Sequence, residues 1–122
     1  MTATASLTEA DLRQFTGSEC WYRHALVRDI LFTDGAKYLA DEAEAYWLLD
    51  EIALAQKFNA RVAAEAFQLW TLTVTPDHTA TLACEDGNGK PVFAKAIACT
   101  DVPLLESRLY DTDCTILLPS EY

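Results

Sequence analysis

The spacing of apolar residues predicts helices in the first half of the chain. Between Ala36 and Lys57 the sequence contains no Gly or Pro and is rich in Ala, Leu, Glu and Lys, a composition that favours helix formation. A single straight helix would place Asp50 in the middle of its apolar face. The pattern therefore favours two consecutive helices, at about 35–43 and 45–57, with a bend between them.

Shorter signals flank these two helices. Ser6-Leu7-Thr8-Glu9 has the form of a capping box and predicts a short helix at about 8–15. Residues 30–33 read as a short extended segment. Asn59 is a suitable N-cap for a helical turn over about 60–66.

The second half of the chain alternates apolar and polar residues with the period of two that is typical of strands. Strands are predicted at 67–74, 79–84 and 91–100, with one or two more between 107 and 118. Asp86-Gly87-Asn88-Gly89 lies between the second and third strands and predicts a hairpin turn, because Gly and Asn tolerate positive φ.

This order of elements predicts an α+β fold, with N-terminal helices packed on one face of a C-terminal antiparallel β-meander. The 122 residues suit a single domain over 1–122. Its helical part would occupy about 1–66 and its sheet part about 67–122.

Charge narrows the classes of function. Nine Lys and Arg against 19 Asp and Glu give a formal net charge of −10, which argues against direct binding to nucleic acid. The net charge is −5 in residues 1–65 and −5 in residues 66–122, so the negative charge is not concentrated in an acidic tail. Since 51% of the residues are hydrophobic, the chain is not of the disordered acidic kind.

Other features of the sequence predict a soluble, cytoplasmic protein without a cofactor. The N-terminus lacks the pattern of a signal peptide, and no stretch is apolar for long enough to enter a membrane. The four cysteines have neither CxxC nor zinc-ligand spacing. In the predicted hairpin Cys84 faces about Val92 and lies too far from Cys99 for a disulfide. We therefore expect reduced, mostly buried cysteines and no metal.

Trp47 is the first candidate contact residue. In the second predicted helix it lies on the same side as Asp50 and Glu51. An aromatic anchor inside a polar rim is typical of a protein-binding surface. The alternatives are that another segment of the chain covers Trp47, or that a second copy does so in a homodimer.

A second candidate is an aromatic and basic cluster that begins at Trp21. Its mixture of rings, a guanidinium and an imidazole suits an anion or a flat ring, although a structural cluster is an equally simple interpretation. His24 could act as a base beside Asp29 or Asp34, but no nucleophile motif accompanies it, so we expect no catalysis. The pocket would contain Trp21, Tyr22, Arg23, His24, Lys37 and Tyr38.

Two acidic segments have the spacing of turns. Asp86-Gly87-Asn88-Gly89 lacks the later ligands of a calcium loop. Asp111-Thr112-Asp113 is interpreted as a bulge or turn, with a metal site as the weaker alternative. We expect no P-loop, dinucleotide or hydrolase chemistry, because none of those motifs is present.

Several strings of the sequence carry a resemblance that extends over nearly the whole chain. The chain resembles a family of small acidic bacterial proteins of unknown function, often found on plasmids and phage-like mobile elements. The resemblance implies a mobile-element setting and no particular activity. The strings are Phe15-Thr16-Gly17, Trp21-Tyr22-Arg23-His24, Phe32 to Ala40, Ala45 to Ala53, Phe67-Gln68-Leu69-Trp70, Asp86-Gly87-Asn88-Gly89 and Thr115 to Tyr122.

Together these features predict a non-catalytic, acidic interaction protein of a bacterial mobile element. Its partner would be a protein with a basic surface, reached without direct contact with nucleic acid or membrane. An inhibitor of a host defence or DNA-processing protein, of the anti-CRISPR or DNA-mimic kind, fits this description. The alternative is a domain that binds a small molecule or an anion at Trp21–His24.

Overall fold

The computed structural model describes residues 7–15, 20–100 and 102–122. Helices and two short strands occupy the first half of the chain, and longer strands dominate the second half. The helices are α1 (Glu9–Leu12), α2 (Asp34–Glu42), α3 (Tyr46–Phe58) and α4 (Ala60–Ala63), followed near the end by a 3₁₀ turn at Pro119–Glu121. The strands are β1 (Trp21–Arg23), β2 (Leu31–Thr33), β3 (Phe67–Val74), β4 (Ala80–Glu85), β5 (Pro91–Ile97), β6 (Glu106–Thr112) and β7 (Thr115–Leu117).

The strands form one sheet in the order β1-β2-β7-β6-β3-β4-β5. β2 and β7 run parallel, with Leu31 opposite Thr115 and Phe32 opposite Ile116. The other neighbouring pairs are antiparallel. Helices and a mostly antiparallel sheet confirm the predicted α+β class.

Two details of the predicted sheet are wrong. β1 comes from the part of the chain expected to be helical, and with β2 it extends the sheet beyond β7. β2 itself confirms the extended segment predicted at 30–33. The C-terminal strands also do not form a simple meander, because β6 pairs with β3 over seven positions rather than with β5. Strands of three residues are too short to show a period of two, which explains why β1 escaped the sequence pattern.

The break between α2 and α3 confirms the predicted pair of helices. α2 ends at Glu42 with Ala43 as its C-cap, and the next residue, Glu44, has φ +52°. At the start of α2, the side chain of Thr33 accepts a hydrogen bond of 3.1 Å from the backbone of Ala36. None of the helices in the described ranges is long and apolar enough to cross a membrane.

The two short helices differ in how well the sequence predicted them. Asn59 caps α4 as expected, since its Oδ1 accepts hydrogen bonds of 3.1 Å from the backbone of Arg61 and Val62. α1 covers only four residues, fewer than the predicted 8–15. Ser6, the first residue of the expected capping box, lies outside the described residues.

The sheet has two faces of different character. On β3 the side chains of Gln68, Trp70 and Leu72 are buried, whereas Thr71 is half-buried and Thr73 is exposed. We call the side of Gln68 and Trp70 the inner face, and the side of Thr71 and Thr73 the outer face. α3 lies against the inner face, where its Gln56 hydrogen-bonds Gln68.

The hairpin between β4 and β5 confirms the predicted turn. Gly87 and Gly89 have φ +90° and +88°, and Asp86 Oδ1 accepts hydrogen bonds from the backbone of Asn88 and Lys90. The predicted register is wrong by one residue, because a bulge after Cys84 sets that residue opposite Phe93 rather than Val92.

All four cysteines are free, as predicted, but they are not mostly buried. Cys84 points to the inner face and is buried. Cys20, Cys99 and Cys114 are exposed because they lie just outside strands or in the turn between β6 and β7.

Candidate functional site

A cavity of about 620 Å³ opens where four parts of the fold meet. Its walls are residues 26–30 of the loop between β1 and β2, the end of α3, the α4 segment with the residues after it, and the turn from β6 to β7. Such a volume is typical of pockets that hold a small molecule. The polar residues in the wall include Gln56, Gln68 and Asp111, and the apolar ones include Leu26, Val27 and Ile30.

Asp111 is the unusual residue of this wall. It stands on β6 directly opposite Gln68 of β3, so both side chains belong to the inner face. Only 3% of Asp111 is exposed, and its Oδ2 is buried without a hydrogen-bond partner. Buried carboxyl groups almost always have partners, since losing hydration without compensation is costly.

Burial also changes the acidity of Asp111. Desolvation raises the pKa of its carboxyl from the ordinary 3.8 to about 6, because a low-dielectric surrounding disfavours the charged form. A perturbed carboxyl in the wall of a cavity is a recognised mark of a functional site.

Gln68, the cross-strand neighbour of Asp111, has no spare hydrogen-bonding capacity to offer it. Its Nε2 donates to Gln56 Oε1 at 2.8 Å and to the carbonyl oxygens of Val62 and Glu65. Its Oε1 accepts from Trp70 Nε1 at 2.9 Å and from Gln56. The amide therefore fixes the floor of the cavity and leaves the Asp111 carboxyl for a ligand.

His24 holds the loop wall of the cavity in place. It is 3% exposed, and its Nδ1 accepts hydrogen bonds from the backbone of Leu26 and Val27 at 3.2 and 3.0 Å. Its Nε2 lies 2.8 Å from Asp50 Oδ1, to which it donates. With both nitrogens engaged, His24 serves as a positioning residue, and the pairing with Asp29 or Asp34 considered from the sequence is not formed.

The other residues of the cluster from Trp21 to His24 each have different neighbours. Trp21 is 55% exposed. Tyr22 stacks on Phe32 with ring centroids 5.6 Å apart, and Lys37 Nζ lies 5.5 Å from the Tyr22 ring. Arg23 Nη1 donates to the carbonyl of Arg28.

Tyr38 packs against Phe15, with 5.1 Å between the ring centroids. None of the six residues of the predicted pocket lines the 620 Å³ cavity. The cavity therefore lies next to the predicted cluster, at the loop that follows it.

Trp47 and the two acids beside it make contacts within the chain. Trp47 is half-buried and packs against the hydrophobic core. Asp50 is the partner of His24, and Glu51 forms an ion pair of 2.7 Å with Lys95 on β5. These two acids join α3 to the sheet, so the expected rim around Trp47 is already occupied by contacts within the chain.

The outer face carries an aromatic group that the sequence did not single out. The rings of Phe67, Tyr110 and Tyr122 have centroids 4.9 to 5.4 Å apart, and Tyr122 is 73% exposed. Trp21 and Tyr122 line a depression of about 330 Å³ on the same side. The available signal was Phe67, which with Leu69 makes the start of β3 apolar on the face that also carries Thr71 and Thr73.

Asp111 was also missed, because Asp111-Thr112-Asp113 has the composition of a turn. The turn itself consists of Asp113 and Cys114, which have φ +52° and +59°. The signal that could have revealed Asp111 is the alternation Ser107, Leu109, Asp111, which places a carboxyl in a buried row. Within the described ranges, no three acidic, histidine or cysteine residues are grouped to hold a metal ion.

The fold and the site define a small α+β protein with a cavity at the junction of its sheet and its helical segments. The chain belongs to a family of unknown function (DUF6876), whose model matches residues 6–122. This confirms the resemblance to a family of unknown function. Neither the curated proteins nor the solved structures include a match to the chain.

Proposed function

We propose that the protein is a non-catalytic binding domain whose ligand is a small organic molecule held in the cavity beside Asp111. The observation that carries this proposal is the carboxyl of Asp111, buried in the cavity wall with Oδ2 unpartnered. A ligand that supplies a hydrogen-bond donor compensates for the lost hydration. This develops the small-molecule alternative of the sequence and moves the site from Trp21–His24 to the adjoining loop.

The histidines support binding rather than catalysis. Both nitrogens of His24 are engaged in hydrogen bonds. His78, the other histidine of the sequence, stands in the turn between β3 and β4 and does not line the cavity. The usual general base of enzymes is therefore not supplied to this cavity.

A thermal-shift screen with a library of small polar and apolar molecules tests the proposal. Compounds that bind the folded state raise the melting temperature. We expect Ala63→Trp, which fills the cavity from its wall, to abolish the shift. Ala64→Trp is the matched control, because Ala64 is an exposed neighbour that does not line the cavity. Hits that survive Ala63→Trp unchanged would contradict the proposal.

A protein partner at the outer face is the second candidate, and the shared depression of Trp21 and Tyr122 favours it. Exposed aromatic side chains are the usual anchors of such contacts. The described lining of this depression includes the acids Asp113 and Glu121 and no basic residue. A partner with an apolar patch and a basic rim suits this distribution.

One form of this second candidate is an inhibitor from a mobile element that acts on a host defence or DNA-processing protein. The affinity for the purified basic partner, measured at increasing salt concentrations, tests this proposal. Affinity should fall as salt rises, because screening weakens attraction between opposite charges. Trp21→Ala should abolish binding, whereas Phe58→Ala, at an exposed ring on α3, should not. Affinity that is independent of salt and of Trp21 would contradict this candidate.

A further inference from the structure

We infer that the ligand of the 620 Å³ cavity carries an ammonium group with N–H donors on an aliphatic body, and that this group hydrogen-bonds the carboxyl of Asp111. The inference deepens the proposed function and rests on it. It follows from four properties of the cavity: its unpartnered carboxyl, its charge, the lack of a metal-binding group and the chemistry of its walls.

The carboxyl of Asp111 borders the cavity, and no donor of the described residues reaches its Oδ2. The amide of Gln68, directly opposite on β3, is already hydrogen-bonded to Gln56, Trp70 and backbone carbonyls. Asp111 Oδ2 is left without a hydrogen bond although the residue is 97% buried. A charged donor suits it best, since hydrogen bonds between ionised groups are about twice as strong as neutral ones.

The charges around the cavity favour a cation over an anion. The lining contains four acidic residues and two basic ones, a formal excess of two negative charges. Ligands of opposite charge are concentrated in such a cleft. The acidic residues are Asp29, Glu65, Asp111 and Asp113, and the basic ones are Arg28 and Lys57.

The cation is organic rather than metallic. A calcium ion takes six to eight oxygen ligands, and no three candidate ligands are grouped for a metal anywhere in the described part of the chain. Asp111 is the one buried carboxyl among the described lining residues, and one buried carboxyl instead matches one ammonium group, whose three donors need only a few acceptors.

The wall chemistry specifies which kind of ammonium. Leu26, Val27 and Ile30 provide an aliphatic surface for the body of the ligand. None of the residues that line the cavity is aromatic, and quaternary ammonium groups are typically held by aromatic cages. The site therefore favours a primary or secondary amine, which has N–H bonds to donate, over a quaternary one.

Calorimetric titration with four probes of equal chain length tests the inference: hexylamine, 1-hexanol, hexanoate and hexyltrimethylammonium, at about pH 7 and up to about 10 mM, a range suited to such small ligands. We expect hexylamine to bind at least about tenfold more tightly than each of the other three. Asp111→Asn should reduce hexylamine to the affinity of hexanol. Glu42→Gln, which removes an exposed carboxyl on α2 that does not line the cavity, should change the affinity less than about threefold.

The outcomes separate this inference from the proposed function. If hexanol and hexylamine bind equally and Ala63→Trp abolishes both, the cavity is a ligand site and the ammonium inference is wrong. If hexylamine binding persists in Ala63→Trp, both are wrong. Absence of hexylamine binding also overturns the inference, and the library screen with Ala63→Trp then decides the proposed function alone.

Discussion

At the scale of single residues, Asp111 is a carboxyl whose burial costs stability. Its pKa is raised from 3.8 to about 6 by desolvation, so the folded state holds a proton that the unfolded chain releases at lower pH. Binding of this proton stabilises the folded state. This stabilisation is complete below about pH 3.8 and is lost as the pH rises through about 6. Residues that lower stability in this way are common in binding sites.

Asp111→Asn should therefore stabilise the ligand-free protein increasingly as the pH rises. Between about pH 4 and pH 7 we expect the free energy of unfolding of the wild type to fall relative to that of the variant by up to about 3 kcal/mol. Urea unfolding across this range measures the difference. A difference that is constant with pH, or equal to that of the exposed control Asp113→Asn, would show that Asp111 is not strained by burial.

At the scale of elements, long segments were predicted with nearly their full bounds, whereas α1 was predicted too long and β1 was missed. β3 spans Phe67–Val74 as the alternation indicates, and the break between α2 and α3 follows from the misplaced Asp50 of a continuous helix. β2 consists of three residues whose place is set by pairing with β7, a contact distant in the chain. The bulge after Cys84 is likewise a tertiary feature.

The candidate site was less predictable than the fold for a related reason. His24 was singled out for its chemistry, but its partners are Asp50 and the loop backbone, which only the folded chain brings together. Asp111 became visible once β6 was paired with β3, because burial and not composition makes it unusual.

Gly87→Ala tests the conformation of the hairpin between β4 and β5. Gly87 has φ +90°, a region that disfavours a Cβ, so we expect a loss of about 1 kcal/mol or more in the free energy of unfolding. Asn88→Ala, at the neighbouring exposed position, is the control and should cost less. Equal midpoints of urea unfolding for the two variants would contradict the turn as described.

At the scale of the whole molecule, the three tryptophans occupy three different environments. Trp70 is buried on the inner face, Trp47 is half-buried against the core, and Trp21 is exposed. Trp21 and Tyr122 of the outer face therefore remain accessible, while the residue that the sequence favoured as an anchor contributes to packing.

Substitution of two of these tryptophans should separate packing from surface. Trp47→Ala is expected to lower the free energy of unfolding by about 2 kcal/mol, below the cost at a fully buried ring. Trp21→Ala should change it by less than about 0.5 kcal/mol. Urea unfolding followed by far-UV circular dichroism measures both. The reverse order would show that Trp47 is available to a partner and that Trp21 is not.

The central claim is that the cavity beside Asp111 is where the protein binds its ligand. The most direct measurement is a titration of the isotopically labelled protein with hexylamine, followed by ¹H–¹⁵N correlation spectra. We predict that the largest shift changes occur in residues 26–30 and 111–114, which line the cavity, and that Asp111→Asn suppresses them. Shift changes confined to the outer face around Trp21 and Tyr122 would contradict the claim.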